Sequence, residues 1–210
     1  AKYSKGIPMV AVNHDKSRYD GVLLPFDTKD FISGVEAVLE KQHKSRHMYF
    51  AEASLNNGQK LLAFNDLFIG AASHVSARYH INFNQHEENQ SSSGVIVSTQ
   101  AGSTGWLSSI FNMAYGVTGL FEKELKAKQP TIKSQDLLFA VREPFKSVRS
   151  QIGIAAGRIK QNKTLTIESH MPNNGVIFSD GVEKDFLKFN SGTIVTIGIS
   201  KNKASLVLKP

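Results

Sequence analysis

The sequence predicts an α+β chain that is mostly β, and three observations carry that expectation. From Met48 onward the chain is a succession of short segments rich in β-branched and aromatic residues, the composition that suits a pleated, half-buried surface. Turn signals separate these segments: Asn56-Asn57-Gly58, Asn173-Asn174-Gly175 and Ser191-Gly192, whose Asn and Gly supply the positive φ angles of tight turns. Helical periodicity is concentrated in Asp27–His43 and Trp106–Gly116, with a shorter stretch at Phe121–Lys126.

Taken in order, Ile7–Asn13 (IPMVAVN) reads as a buried strand. A lone strand is unstable, so either it joins a sheet built elsewhere in the chain or it belongs with chain upstream. After a polar loop and GVLLPF, Phe31, Val35, Val38 and Leu39 mark one face of a helix, with Asp27 and Asp30 as its capping pair. His43 and His47 would share a helical face if that helix continued. Lys44 and Arg46 between them oppose a cation, so no metal site is assigned there. MYFAEASL and KLLAFNDLFIG flank Asn-Asn-Gly as a hairpin, and ARYHINFN, GVIVST, QDLLFAVREPF, KTLTIES, NGVIFSD, GTIVTIGIS and KASLVLK follow as strands.

The stretch Ser91–Trp106, SSSGVIVSTQAGSTGW, organises the functional reading. Gly94–Thr99 is a short buried strand, Gln100–Gly105 a hydroxyl-rich turn, and a helix capped by Ser103 or Thr104 follows with Leu107, Ile110, Phe111 and Ala114 on one face. A strand, a small-residue turn and a helix N-terminus together suit an anion: first-turn amides, the helix dipole and the hydroxyls of Ser98, Thr99, Ser103 and Thr104 can address a phosphate or a ribose.

Composition narrows the partners. At 210 residues and 40% hydrophobic content the chain can bury a substantial core. No run approaches the roughly 18 apolar residues of a membrane span and no secretory leader is recognisable. With no cysteine, disulfide and thiolate chemistry are excluded, and a cytoplasmic protein is expected. The formal charge of +7 attracts anions, but Lys and Arg are dispersed, which favours a small anionic ligand over nucleic acid or a membrane surface.

Asn65-Asp66 within LAFNDLFIG, then SSGVIVSTQAGSTGW, then VIFSDG before a closing pair of strands, resembles in order and spacing the C-terminal region of the NAD kinase family. That family has an Asn-Glu pair at a strand end, a Gly-Leu-Ile-Val-Ser-Thr-x-x-Gly-Ser-Thr-Ala-Tyr stretch and a late Asp-Gly. Here Asp66 replaces the usual Glu, Ser93 the Asp before the Gly, Gly105 the Ala, and Trp106 the Tyr. Trp106, Ser93, VAVNHDKSRYDGVLLPF and LFAVREPF resemble the mitochondrial-type branch. The resemblance implies residues 1–45 as a remnant of an N-terminal α/β domain and 46–210 as a β-rich dinucleotide-binding domain resembling the family's all-β second domain. The family's Gly-Gly-Asp-Gly motif, whose Asp is thought to activate the ribose 2′-hydroxyl, does not occur in this sequence. The chain is therefore expected to hold the NAD site without the general base and to be inactive alone.

What the resemblance implies about residues is specific. Asn65 and Asp66 should meet the adenosine of NAD; Ser93, Ser98, Ser103, Thr104, Gly105 and Trp106 should line the nucleotide site; Asp180 beside Gly181 should touch ligand or form a tight turn. ATP and Mg²⁺ are the implied cofactors, NAD the substrate, and ATP-dependent 2′-phosphorylation to NADP the implied reaction of the intact protein. A homodimer with the NAD site near its interface is implied as well. VIVST and LLFAVREPF, apolar on successive residues, need cover on both faces, which either a second sheet in a self-contained sandwich or a second subunit supplies; in the second case Arg142 and Glu143 before Pro144 mark the subunit boundary. Two alternatives stand beside this: a non-catalytic nucleotide-binding module, and a serine hydrolase in which Ser103, Asp136 and His170 follow in α/β-hydrolase order. Strand after strand following the turn argues against the hydrolase.

Overall fold

The structure, a computed structural model, describes residues 1–4, 6–18, 21, 23–121 and 129–209. Most of the stretch Phe121–Lys126, expected to be helical, lies outside the described residues. The chain divides into two compact units, Ala1–Tyr49 with Lys201–Pro210, and Phe50–Ser200.

In the first unit the expected strand Ile7–Asn13 is two short strands, β1 (Pro8–Met9) and β2 (Val12–Asn13), and β2 pairs in parallel with β3 (Phe26–Asp27). β1 joins a sheet supplied by the distant end of the chain, running parallel to the last residues of β15 (Ile194–Val207), with Pro8 opposite Ser205 and Met9 opposite Leu206. Helix α1 spans Phe31–Leu39, shorter than the periodicity suggested. Phe26 and Asp27 are held extended in β3 before it, and Lys41, at φ 58°, lies in the left-handed region after it. The expected apolar face is also corrected: Val35 and Leu39 are exposed, and the buried residue is Gly34. A side chain at Gly34 would run into the Phe26 ring, so the helix docks through the residue that has none. Asp30 is the N-cap residue, but its carboxylate accepts the Asp27 N–H (2.7 Å) and an ion pair from Lys209 rather than capping the helix.

The larger unit is a two-sheet sandwich, antiparallel in every described pair. One sheet contains β4 (Ser45–Leu55), β5 (Lys60–Ala63), β7 (Ala77–Phe83), β8 (His86–Ser92), β12 (Leu165–Ser169) and β15, in the order β5-β4-β15-β12-β7-β8. The other contains β6 (Asp66–Ala71), β9 (Val95–Ser98), β10 (Asp136–Val141), β11 (Ala156–Lys160), β13 (Gly175–Ser179) and β14 (Val182–Lys188), in the order β11-β10-β9-β6-β13-β14. Leu61, Ile81, Leu165 and Ile197 from the first meet Leu67, Ile69, Val95, Phe139 and Ile177 from the second in one core.

The Asn-Asn-Gly hairpin forms as expected: Gly58 takes φ 87° and Ala51 pairs with Ala63. KLLAFNDLFIG, however, is not one strand. It breaks at Phe64-Asn65, sending β5 into one sheet and β6 into the other. Three strands carried no sequence signal, β8 (HEENQSS), β11 (AGRIK) and β14 (VEKDFLK). All three are terminal in their sheets, where polar side chains are tolerated and discourage further pairing. GTIVTIGIS and KASLVLK merge into the single strand β15. On the outer face of the second sheet, α2 (Trp106–Thr118) places Leu107 against Ile132, Leu138 and Ala140. No helix of the described residues is long and apolar enough to cross a membrane.

Gly175 in β13 receives the Phe189 N–H on its carbonyl at 2.7 Å, and an added Cβ would overlap the Phe189 carbonyl. Gly175→Ala should therefore destabilise the sandwich by about 3 kcal/mol, the upper end of overpacking costs, read as a lower urea midpoint at unchanged slope.

Candidate nucleotide site

The site is built where the chain changes sheets. At the β5–β6 break, Phe64 N–H donates to Asp180 Oδ2 (3.1 Å) and Asn65 N–H to Asp180 Oδ1 (2.6 Å). Asp180 N–H returns a bond to the Asp66 carbonyl at 2.9 Å. Asp180 sits at φ 56° and Gly181 at φ 70°, so the tight-turn reading of this pair is correct, and the turn aims the carboxylate at the crossing. From the opposite side Thr99 closes the arrangement. Its N–H donates to the Asn65 carbonyl (2.9 Å) and its hydroxyl to the Phe64 carbonyl, while Oγ1 accepts the N–H groups of Ala101 (3.1 Å) and Gly102 (3.3 Å).

The cap assigned to Ser103 or Thr104 is corrected. Residues Ala101–Thr104 form a 3₁₀ turn whose first amides are taken by Thr99, and α2 starts after Gly105, which makes no side-chain cap. The Ser103 hydroxyl donates to the Gln100 carbonyl at 2.9 Å, and Thr104 and Gly105 are exposed. Gly102 is where the turn meets the strand crossing: an added Cβ would strike the Asn65 carbonyl and lie 2.7 Å from Asp66 Oδ1. Only a residue without a side chain lets the turn lie on Asn65 and Asp66.

Asp66 faces Ser98 across the β6–β9 pair. Burial raises its carboxyl to about pKa 6, the Ser98 hydroxyl tempers the rise, and the negative charge of Asp180 adds to it. Its Oδ1 is buried without a hydrogen-bond partner among the described residues. Asn65 has its backbone fully engaged, while its amide side chain makes no hydrogen bond among the described residues. A fixed carboxyl with an unused oxygen beside a free amide is suited to a neutral ligand edge that offers hydroxyl and amine hydrogens. Among the described residues no group of three His, Cys, Asp or Glu could hold a metal ion.

The nine residues singled out in the sequence fall into two groups. Asn65, Asp66, Ser98 and Asp180 meet at the strand crossing, with Ser103, Thr104 and Gly105 in and after the adjoining turn. Ser93 and Trp106 instead line a groove of about 740 Å³ walled by Phe68, Phe178 and Phe186 and by the loop Ala72–Ser76. Trp106 lies parallel to Phe68 at 5.6 Å between centroids, and the Arg142 guanidinium sits 5.3 Å from its ring centre. The Thr99 hydroxyl, read from the sequence as able to address a phosphate or a ribose, is instead engaged with the Phe64 carbonyl. Sequence reasoning did not assign Gly102 or Arg142 to a ligand site; the Gly within AGSTG was a legible signal for the first, and nothing local marks Arg142 as a partner of Trp106. The hydrolase constellation is not assembled: Ser103 bonds Gln100, and Asp136 is paired with Arg158 at 2.9 Å.

This sandwich, with its strand–turn–helix against the sheet crossing, is an NAD kinase-like fold. Among solved structures, the chain is similar to yeast NADH kinase complexed with NADH (TM-score 0.71, 16% identity, covering 98% of this chain and 55% of that one). It is also similar to an NAD kinase from Archaeoglobus fulgidus in complex with ATP (TM-score 0.59, 16% identity, covering 88% of this chain and 63% of that one). The chain thus spans less than two thirds of the length of either. No family model matches the sequence, and no curated protein matches it.

Two outcomes are expected. Because Asp66 keeps its proton to about pH 6 in the folded state against 3.8 as the ordinary value, the native state binds more protons in that window and stability falls as pH rises through it. The fall should be on the order of 2 kcal/mol and should be absent in Asp66→Asn, read from urea unfolding at pH 4, 5, 6 and 7. Asp180→Ala leaves the Phe64 and Asn65 N–H groups unpaired and should cost about 2–4 kcal/mol, whereas Asp180→Asn, which keeps one acceptor, should cost less.

Proposed function

We propose that the chain supplies the dinucleotide site of an NAD kinase-like phosphotransferase of the mitochondrial-type branch, which transfers phosphate from ATP to the 2′-hydroxyl of NAD. The observation that carries this reading is the pre-built pair at the strand crossing. Asn65 is immobilised through its backbone, and among the described residues its amide makes no hydrogen bond and one oxygen of Asp66, held against the turn, has no partner, inside a fold similar to an NADH complex and an ATP complex. The ribose of the adenosine half offers vicinal hydroxyls to the Asp66 carboxylate, and the adenine edge pairs with the Asn65 amide. In its ionised form Asp66 accepts from a hydroxyl and orients it; this chain carries no Gly-Gly-Asp-Gly to remove the proton. Mg²⁺, when the nucleotide brings it, neutralises phosphate charge. The intact protein is proposed to be a cytoplasmic homodimer, consistent with the exposed Phe145, Val148 and Ile152 beyond Arg142.

Binding is the direct test. Alanine at Asn65 or at Asp66 should weaken NAD binding by about 1–3 kcal/mol in calorimetry while the ligand-free melting temperature moves little. Loss of stability without loss of binding would refute the assignment. The purified chain with ATP and Mg²⁺ is expected to bind NAD without forming NADP. A non-catalytic nucleotide module remains the second reading, favoured by the same binding geometry; it is distinguished by a form of the protein carrying Gly-Gly-Asp-Gly that still fails to make NADP. Sedimentation equilibrium at micromolar concentration reads the dimer against a 23.1 kDa monomer.

A further inference from the structure

Between β10 and β11 the chain forms a loop whose polarity is inverted. Its inward contacts are polar. Glu88 and Gln90 of β8 are buried; Gln90 Nε2 donates to Glu88 Oε1 (2.5 Å) and to the Ile154 carbonyl (3.1 Å), and Glu88 accepts the N–H groups of Gly153 (3.1 Å) and Ile154 (2.8 Å). Outward the loop is apolar: Phe145 is 64% exposed, Val148 fully exposed and Ile152 43% exposed. Lys146 and Arg149 stand on either side of Val148, both exposed and neither with an ion-pair partner among the described residues.

This exposure is held in place by the backbone. Phe145 N–H donates to the Ser91 carbonyl and Gln151 N–H to the Asn89 carbonyl, both at 2.8 Å, so the loop is laced to β8 before and after its tip. Within the tip, Ser147 N–H donates to the Ser150 carbonyl (2.9 Å), and Ser147 Oγ accepts the N–H groups of Arg149 and Ser150, each at 3.1 Å. The buried Ser150 hydroxyl donates to the Phe145 carbonyl at 2.6 Å. At the return, a Cβ on Gly153 would lie 2.8 Å from Glu88 Oε2, so the carboxylate closes on a residue without a side chain. The polar groups of the loop are thus spent inward, and Phe145 and Val148 are kept in water against the tendency of apolar side chains to be buried. An exposed apolar tip rimmed by charged residues marks an interaction surface.

We infer that this loop docks on an anionic lipid bilayer, with Phe145 and Val148 entering the boundary between headgroups and acyl chains and Lys146 and Arg149 pairing with lipid phosphates. Area argues for a soft partner. Three side chains present roughly a few hundred Å² of apolar surface, short of the about 800 Å² per partner that a stable protein interface buries. A bilayer takes a small apolar tip without matching its shape, and long cationic side chains beside the tip lie along the apolar boundary while their charged ends reach phosphate. Charge points the same way, since the chain carries a formal +7 and the two free cations at the tip give that attraction an orientation. A single tip of this size binds reversibly and does not anchor. The inference is independent of the proposed function, because none of these residues lies at the strand crossing. A second copy of the chain is the rival cover for the same side chains.

Cosedimentation with vesicles tests this. The 210-residue chain, Phe145→Ser, Val148→Asp and the double variant Lys146→Gln with Arg149→Gln are each spun with phosphatidylcholine vesicles made with and without phosphatidylglycerol. Circular dichroism melts check that the variants fold, and sedimentation equilibrium without vesicles reads their mass. The chain is expected to partition onto the phosphatidylglycerol vesicles and about tenfold or more weakly onto phosphatidylcholine alone. Phe145→Ser and Val148→Asp should each lower partitioning about tenfold at unchanged mass, and the double charge variant should lower it similarly on the anionic vesicles only. Absence of cosedimentation overturns the inference. So does binding that folded Phe145→Ser and Val148→Asp leave unchanged, which is adsorption by overall charge. Loss of binding that accompanies dissociation of a dimer in these variants assigns the loop to a second copy and also overturns it. Calorimetric NAD binding should be the same in wild type and loop variants, so failure of the loop assignment is distinguishable from failure of the nucleotide reading.

Discussion

The arrangement depends on one carboxylate gripping two backbone amides. Where β5 leaves one sheet and β6 enters the other, Phe64 and Asn65 cannot use their N–H groups in either ladder, and a buried N–H without a partner costs a large fraction of a domain's stability. Asp180 takes both, from a turn more than a hundred residues away in sequence. The same turn fixes its own N–H on the Asp66 carbonyl, so the crossing is held from the β13–β14 hairpin. Thr99 then fastens the opposite side and starts the 3₁₀ turn. Once the backbone at Asn65 and Asp66 is consumed by these contacts, their side chains are what remain to meet a ligand.

This construction explains why Asp66 is perturbed and Asp180 is spent. Two carboxylates near one crossing repel when both are ionised, and the protein resolves the conflict unequally. Asp180 is satisfied by two amides, whereas Asp66 is driven upward by burial with one oxygen unpaired. A buried acceptor without a partner among the described residues is destabilising in the free protein, and under the proposed function a hydroxyl-bearing ligand would relieve it. Gly102 keeps the space at that oxygen narrow, since the turn can approach only where no Cβ intervenes.

The second sheet therefore serves two ends of one strand. At the Ser98 end β9 contributes to a polar, hydrogen-bonding corner; at the Ser93 end it borders an aromatic wall with a fixed cation. The helix between them is anchored by Leu107 in a small core with Ile132, Leu138 and Ala140, and its first residue, Trp106, lies flat on Phe68. Small-residue geometry in the turn sets where Trp106 emerges.

Local chemistry in the sequence settled the interior strands, the Asn-Gly hairpin, the paired Asn65-Asp66 and the strand–turn–helix around Gly94–Trp106, because β-branched runs, positive-φ residues and small-residue turns act over a few neighbours. The motifs in order were enough to suggest the fold that the similar structures display. Tertiary structure decided the rest. The edge strands β8, β11 and β14 are polar and pair only because a neighbour offers a ladder, and KLLAFNDLFIG breaks in two because Asp180, remote in sequence, can satisfy the break. The helix cap moved from Ser103 or Thr104 to Gly105 because Thr99 had already claimed the first amides of the turn. Ser93 parted from Asp66 because strand length, about 3.3 Å per residue, separates what a motif lists side by side, whereas Trp106 follows Gly105, which lies beside Asp66. Arg142 came to Trp106 for the same kind of reason: the pairing of β9 with β10 brings together residues that no local pattern connects.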